Sequence, residues 1–272
     1  MTETNAAAKE RHARRELGQH LARAARALVI GGLMVGLASL SAVSAGAAST
    51  IKSNKPYAQA QLLKLSNLPP GWTKTDKVSI GTSADNNSMS MLTMTQLPDL
   101  STCLGKPPPL SVVAAEASSP EFDSKDQNTS IIDVADVYTS TDEAKSDFPP
   151  LNNPKFANCF LQVQGSTITD VEKSYWPSGA TFGTATASVS HQQKYGDQSG
   201  FVDVQVPVNL PAGQGSTNDF FDVLVIRQGR STAELLIDQG DTPPSAALTE
   251  SLAKAVTARM KARPPGNTFI AA

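Results

Sequence analysis

Between Arg26 and Lys52 the chain runs for 25 residues, Ala27–Ile51, without a charged side chain. Six basic residues precede it: Lys9, Arg11, Arg14, Arg15, Arg23 and Arg26. The most apolar part, Ala27–Leu40, fades into the small residues Ser41–Ala48. Basic flank, apolar centre and small-residue exit are the parts of a secretory signal. Val43-Ser44-Ala45 and Ala45-Gly46-Ala47 both fit a cleavage site. The uncharged run also exceeds the roughly 20 residues needed to span a bilayer. Cleavage and retention as a single-pass anchor both fit, and in either case the basic flank holds the N-terminus inside. The chain that follows is therefore expected to fold outside the cytoplasm, secreted or tethered to the outer face of the membrane. Arg14-Arg15 stands too far ahead of the apolar run to mark a twin-arginine route. No Cys near the exit offers a site for a lipid.

That compartment changes the meaning of the two cysteines, Cys103 and Cys159. With no CxxC and no His at ligand spacing, an even count in an oxidising environment reads as one disulfide. After residue 26 the chain holds 17 basic and 22 acidic residues. A net acidic chain without a basic run lacks the footprint of a nucleic-acid binder. The expected organisation is a basic leader at 1–26, a signal or anchor at 27–48, a linker at 49–56, one domain at 57–263 and a tail at 264–272.

Periodicity predicts the elements of that domain. Tyr57–Leu65 reads as a helix with Leu62, Leu63 and Leu65 inward, stopped by Pro69-Pro70. Met89–Leu97 alternates as a strand, after a turn at Asp85-Asn86-Asn87, and Cys103–Ser119 reads as loop. Ser130–Ser140 is a strand, and Ser140 with Glu143 has capping-box spacing for a short helix ended by Pro149-Pro150. Pro154–Gln164 places Phe156, Cys159, Phe160 and Val163 on one helical stripe, with Gly165 as the expected cap. Ala185–Gln192 reads as a strand. In Phe201–Leu210 the residues Val202, Val204, Val206 and Val208 face one way, and Asp203, Gln205 and Asn209 the other. A Gly/Ser loop follows at Pro211–Asn218. Asp219–Arg227 and Arg230–Asp238 flank Gln228-Gly229 as a hairpin, and Ser245–Ala262 closes the domain as an amphipathic helix. The expected fold is α+β: a twisted antiparallel sheet of about 5–7 strands flanked by helices and stapled once.

Chemistry is sparse. There is no GxSxG, HExxH, P-loop, CxxC or dinucleotide fingerprint, so no metal or cofactor is expected. His191 is the single His beyond the leader and lies in a predicted strand, a poor position for a general base. Asp133 with Asp136, and Asp219 with Asp222, are candidate carboxylate pairs. An odd spacing on a strand sends each pair to opposite faces. Solvated positions are the expectation for all four. Arg227 and Arg230 bracket the hairpin tip as an exposed turn, and Met89, Met91 and Met94 read as one partly buried strand. Trp72 and Trp176 are the weak candidates for ligand contact.

Several segments together resemble the PknH-like extracellular sensor domain found in exported actinobacterial proteins. They are Leu62-Leu63 through Leu68-Pro69-Pro70-Gly71-Trp72, Val137-Tyr138-Thr139-Ser140 to Ala144, Phe156-Ala157-Asn158-Cys159, and Val225-Ile226-Arg227-Gln228-Gly229-Arg230. The resemblance spans about Tyr57 to Ala262. It implies an antiparallel sheet flanked by helices, with a cleft for an unidentified ligand. Kinase-borne members have two disulfides, whereas this chain has cysteines for one. The leader holds no kinase, so signalling would require a second protein. No ligand-binding motif is defined to carry over. The function expected is non-enzymatic binding or sensing of a small or lipid-like ligand, or of a cell-wall fragment, in the cell envelope. A structural or protein-interaction module is the alternative, and a hydrolase of unrecognised type a further one.

Overall fold

A computed structural model describes residues 54–74, 79–81, 97–105, 113–126, 128–173, 176–191, 194–211 and 215–262. The uncharged run and the Met89/Met91/Met94 segment lie outside these residues. Among the described residues no helix is long and apolar enough to cross a membrane.

Residues 54–61 form the first helix, α1. The other helices are α2 (Leu97–Cys103), α3 (Thr141–Asp147), α4 (Phe156–Lys173) and α5 (Ala246–Ala262). Ten strands make one sheet: β1 (Thr73–Lys74), β2 (Ser79–Gly81), β3 (Val113–Ser118), β4 (Phe122–Asp123), β5 (Thr129–Tyr138), β6 (Thr181–Phe182), β7 (Thr186–His191), β8 (Gln198–Asn209), β9 (Ser216–Gln228) and β10 (Ser231–Gly240). Four of the ten have two or three residues, and the six longer ones match the expected size. The fold is α+β, every pairing is antiparallel, and the centre runs β5-β10-β9-β8. β3 and β4 share the outer edge of β5, while β6 and β7 share the outer edge of β8.

Helices cover both faces, which makes three layers. Val202, Val204, Val206 and Val208 alternate inward on β8 as expected, and all four are buried. Burying each Val contributes about 1.5–3 kcal/mol. The first three pack with Val223 and Val225 against Phe156, Cys159 and Phe160 of α4 and Leu100 of α2. Cys103 and Cys159 are bonded, tying α2 to α4 on this disulfide face. Gly200 keeps β8 close to the layer above, since a Cβ there would collide with Leu151 Cδ1. On the opposite face Leu252, Ala253, Val256 and Met260 of α5 lie on Leu224, Ile226, Leu235 and Ile237. Ala58 and Leu62 of α1 lie on Ala115, Ala117, Ala135 and Val137.

Ser140 caps α3 as its spacing predicted: its Oγ accepts from Glu143 N at 3.2 Å, and Ser140 N donates to Glu143 Oε2 at 3.1 Å. Several expectations need correction. α1 stops at residue 61, and Leu65 falls in a 3-10 turn, 38% exposed rather than inward. Leu97 opens a helix instead of ending a strand. The expected loop Cys103–Ser119 contains β3, buried along all six residues. A strand covered on both faces shows no alternation, and alanines carry little β signal. Here they let α1 approach closely. Gly165 lies inside α4, which runs on to Lys173. One helical Gly costs only about 1 kcal/mol, too little to end a well-packed helix. The hairpin pairs Gln228 with Ser231, so its loop is Gly229-Arg230, one residue later than predicted. Gly229, at φ 60, takes the first central position that type II′ turns reserve for glycine.

Candidate acidic site under the third helix

The two aspartates of β5 point to opposite faces, as their spacing requires, but neither is solvated. On the opposite face Asp133 is 0% exposed. Its Oδ2 accepts from Leu63 N at 2.6 Å, just past the end of α1. Burial pushes its carboxyl up to about 7 against the opposing effects of that amide and of Arg259. Arg259 itself donates to Ala60 O at 3.0 Å. Gln61 Nε2 donates to Ser231 Oγ at 3.1 Å, and Arg230 Nη2 to Asn54 Oδ1 at 2.8 Å. These links serve a structural end, docking α1 on the sheet.

On the disulfide face the strand register assembles something different. Glu116 of β3, Asp136 of β5 and Thr232 of β10 stand directly opposite one another in one row. The neighbouring row is Ser118, Val134 and Glu234. Laterally paired residues share a face of the sheet, so all these side chains point to the same side. Asp147, at the end of α3, reaches the same place. The Thr232 hydroxyl hydrogen-bonds both Asp136 and Tyr138, and the Tyr138 hydroxyl donates to Asp147. Four carboxyls and three hydroxyls thus gather where α3 meets the sheet.

Burial pushes Asp136 well above the usual carboxylate range. Glu116, Glu234 and Asp147 push it further, all by like charge. Tyr138 is driven upward by burial and by the charges of Asp136 and Asp147. Asp136 Oδ1 and Ser118 Oγ are among the buried oxygens here with no hydrogen-bond partner among the described residues. Ser118 is 2% exposed and Glu116 7%, while Asp136, Asp147 and Glu234 are half-buried. A buried hydroxyl without a partner costs about 1–3 kcal/mol. The base on this row, Arg227 of β9, opposite Thr232, is committed elsewhere. Its side chain donates to Gln198, to Asp197 at 3.3 Å and to Gly229 O at 2.8 Å.

The remaining candidates fall into place around this geometry. Asp219 and Asp222 are also buried rather than solvated, on opposite faces of β9. Asp219 Oδ2 accepts from the Trp176 indole at 2.8 Å, which fixes that tryptophan at the end of the sheet. Asp222 is paired by register with Asp203 of β8, not with Asp219. Burial first, and Asp203 second, push Asp222 up to about 7. Trp72 packs on the main core and away from the acidic site. Arg227 is buried and Arg230 half-buried, so the expected exposed turn is instead pinned: Arg230 donates to Tyr138 O at 2.6 Å. The backbone of His191 pairs with Gly200 in the β7–β8 ladder. Among the described residues no three His, Cys, Asp or Glu side chains are grouped so as to hold a metal ion.

No family model matches the sequence, and no curated protein matches it. Among solved structures, the chain is similar to the extracellular domain of PknH from Mycobacterium tuberculosis. Identity is 11% and the TM-score 0.30, over 76% of this chain and 96% of that one. It is also similar to an uncharacterised Mycobacterium smegmatis protein, the Rv0999 ortholog, at 13% identity and a TM-score of 0.32. That match covers 77% of this chain and 95% of the other. Likenesses of this strength fix neither a family nor a function.

Proposed function

We propose that this chain is a non-enzymatic domain of the cell envelope that binds a small polar ligand at the acidic site beneath α3. One observation carries the reading: the Ser118 hydroxyl, almost wholly buried, lacks a hydrogen-bond partner among the described residues and lies on the face where four carboxyls gather. Buried polar groups are ordinarily satisfied. Where one is not, and the surrounding groups are partly open to solvent, a bound polar molecule would supply the missing partner. The Cys103–Cys159 bond and the uncharged run ahead of the domain support an exported setting, where such bonds persist. The carboxyls disfavour the tail of a lipid, which narrows the ligand to polar chemistry.

Native mass spectrometry of the chain isolated from its own envelope tests this. The expected spectrum shows a small-molecule adduct that Asp136→Asn removes. A bare mass in repeated preparations overturns the reading and favours the structural or protein-interaction module. The same spectrum shows whether the chain has been cleaved near Ala45–Ala48.

A further inference from the structure

We infer that the outer edge of β7 pairs with the same edge of a second copy of this chain, joining two sheets about a two-fold axis. The backbone supplies the first argument. Among the described residues β7 (Thr186–His191) pairs with β8 on one side and with no strand on the other. That outer side presents N–H and C=O groups from every second residue, bonded to nothing among the described residues. Such a row is a template for another strand.

The contrast between the two ends of the sheet is the second argument. At the far edge β1 and β2 have two and three residues, and β1 ends on Lys74. Short edge strands and edge lysines block pairing. β7 has six residues, a continuous register with β8 and no Pro, and from Thr186 to Ser190 it carries no charge. The usual guards of an edge are missing from this one.

Chemistry selects a second copy as the occupant. Residues opposite one another in an antiparallel pair share a face, so the axis must pass through a residue and not between two. Through Ser188 it sets Ser188 on Ser188, Ala187 on Val189 and Thr186 on Ser190. Ala187 and Val189 are half-buried at the rim of the disulfide-face core, where the copy covers them. Thr186 and Ser188 are exposed, and on that side hydroxyl meets hydroxyl. The chain beyond residue 26 is net acidic, so two copies repel over much of their surface. Beside β7 the acid is Asp203 of β8, opposite Ser188 by register and accepting from its Oγ at 3.2 Å. Three strand spacings hold it about 14 Å from its counterpart, beyond the roughly 8 Å screening length of physiological salt. The acidic site, on β3, β5 and β10, stays clear of this edge.

The test is sedimentation velocity of the full-length chain over a concentration series. Five residues a side fall below the roughly 1,200 Å² of standard complexes, so a reversible dimer with a micromolar dissociation constant is expected. Ser188→Lys sets two lysines face to face across the axis and should weaken dimerisation at least tenfold. Thr73→Lys, exposed on β1 at the far edge, should leave it unchanged. Hydrogen exchange of the unaltered chain needs no variant: amides of β7 should slow as concentration rises, and those of β1 should not. A monomer at every concentration overturns the inference. So does a dimer that Ser188→Lys leaves intact, or one that protects β1 instead of β7. Protection of β7 in envelope extract alone, with the purified chain monomeric, assigns the edge to another protein's strand and overturns the second copy.

Discussion

The Asp133 carboxyl is fully enclosed, with the Leu63 amide as donor and Arg259 as its charge partner. Its folded pKa, about 7, stands above the ordinary 3.8 because burial penalises the charge. The folded chain therefore holds this proton more tightly than the unfolded chain. The stability this contributes is complete below about pH 4 and is lost as pH rises through about 7. Its upper bound is about 4 kcal/mol. Asp133→Asn keeps an acceptor for Leu63 and removes the titration. Its melting temperature should exceed that of the native chain at pH 8, with the advantage gone at pH 5, as read by scanning calorimetry. Equal destabilisation at both pH values would show that Asp133 matters only as a hydrogen-bond acceptor. The opposite facing of Asp133 and Asp136 was readable from spacing alone. Their burial was not, because α1 and α3 come from either side of β5 in the chain and no local pattern records their docking.

At the scale of elements, legibility followed the layer each one occupies. β8 has one wall in the disulfide-face core and one more polar wall, so its valines alternate and the strand is visible. β3 has two buried walls and small residues, so its sequence shows no alternation. The acidic site was hidden for a related reason: Glu116 and Glu234 meet Asp136 only through the registers of β3 and β10 against β5. Gly165 has the pattern of a helix cap in the sequence, yet α4 runs on through it to Lys173. A Cβ at Gly165 meets nothing within 4 Å. Gly165→Ala should therefore stabilise the domain by about 0.5–1 kcal/mol, seen as a higher urea midpoint at unchanged slope. A lower midpoint would place a neighbour against that side of the helix. The Cys103–Cys159 bond closes 56 positions of chain, and its loss should cost about 4 kcal/mol at most in the chain-entropy account. On reduction, hydrogen exchange should quicken first in α2, which the bond ties to α4. The central strands β9 and β10, buried under both helical layers, should keep their protection longest. Uniform loss of protection would show that α2 is held by packing and not by the bond.

For the molecule as a whole, buried acids on both faces of one sheet act in the same direction. Asp133 and Asp222 are pushed to about 7, and Asp136 is pushed well above the carboxylate range. Each raised carboxyl stabilises the fold fully below its unfolded pKa and withdraws that support as pH climbs through its folded value. Without added ligand, the melting temperature should therefore be higher at pH 5 than at pH 8. Many globular domains are most stable between about pH 5 and 8, and here the decline begins inside that range. The charge partners differ: Arg259 for Asp133, Asp203 for Asp222, and Glu116, Glu234 and Asp147 for Asp136. Sites without a shared partner contribute additively. Changing the three aspartates to Asn singly should each remove part of the slope of melting temperature against pH between 5 and 8. The triple variant should remove nearly the sum. If the singles flatten the curve but the triple adds nothing, the three carboxyls titrate as one unit and the sheet transmits charge between its faces. If none flattens it, the protons released above pH 5 come from other groups.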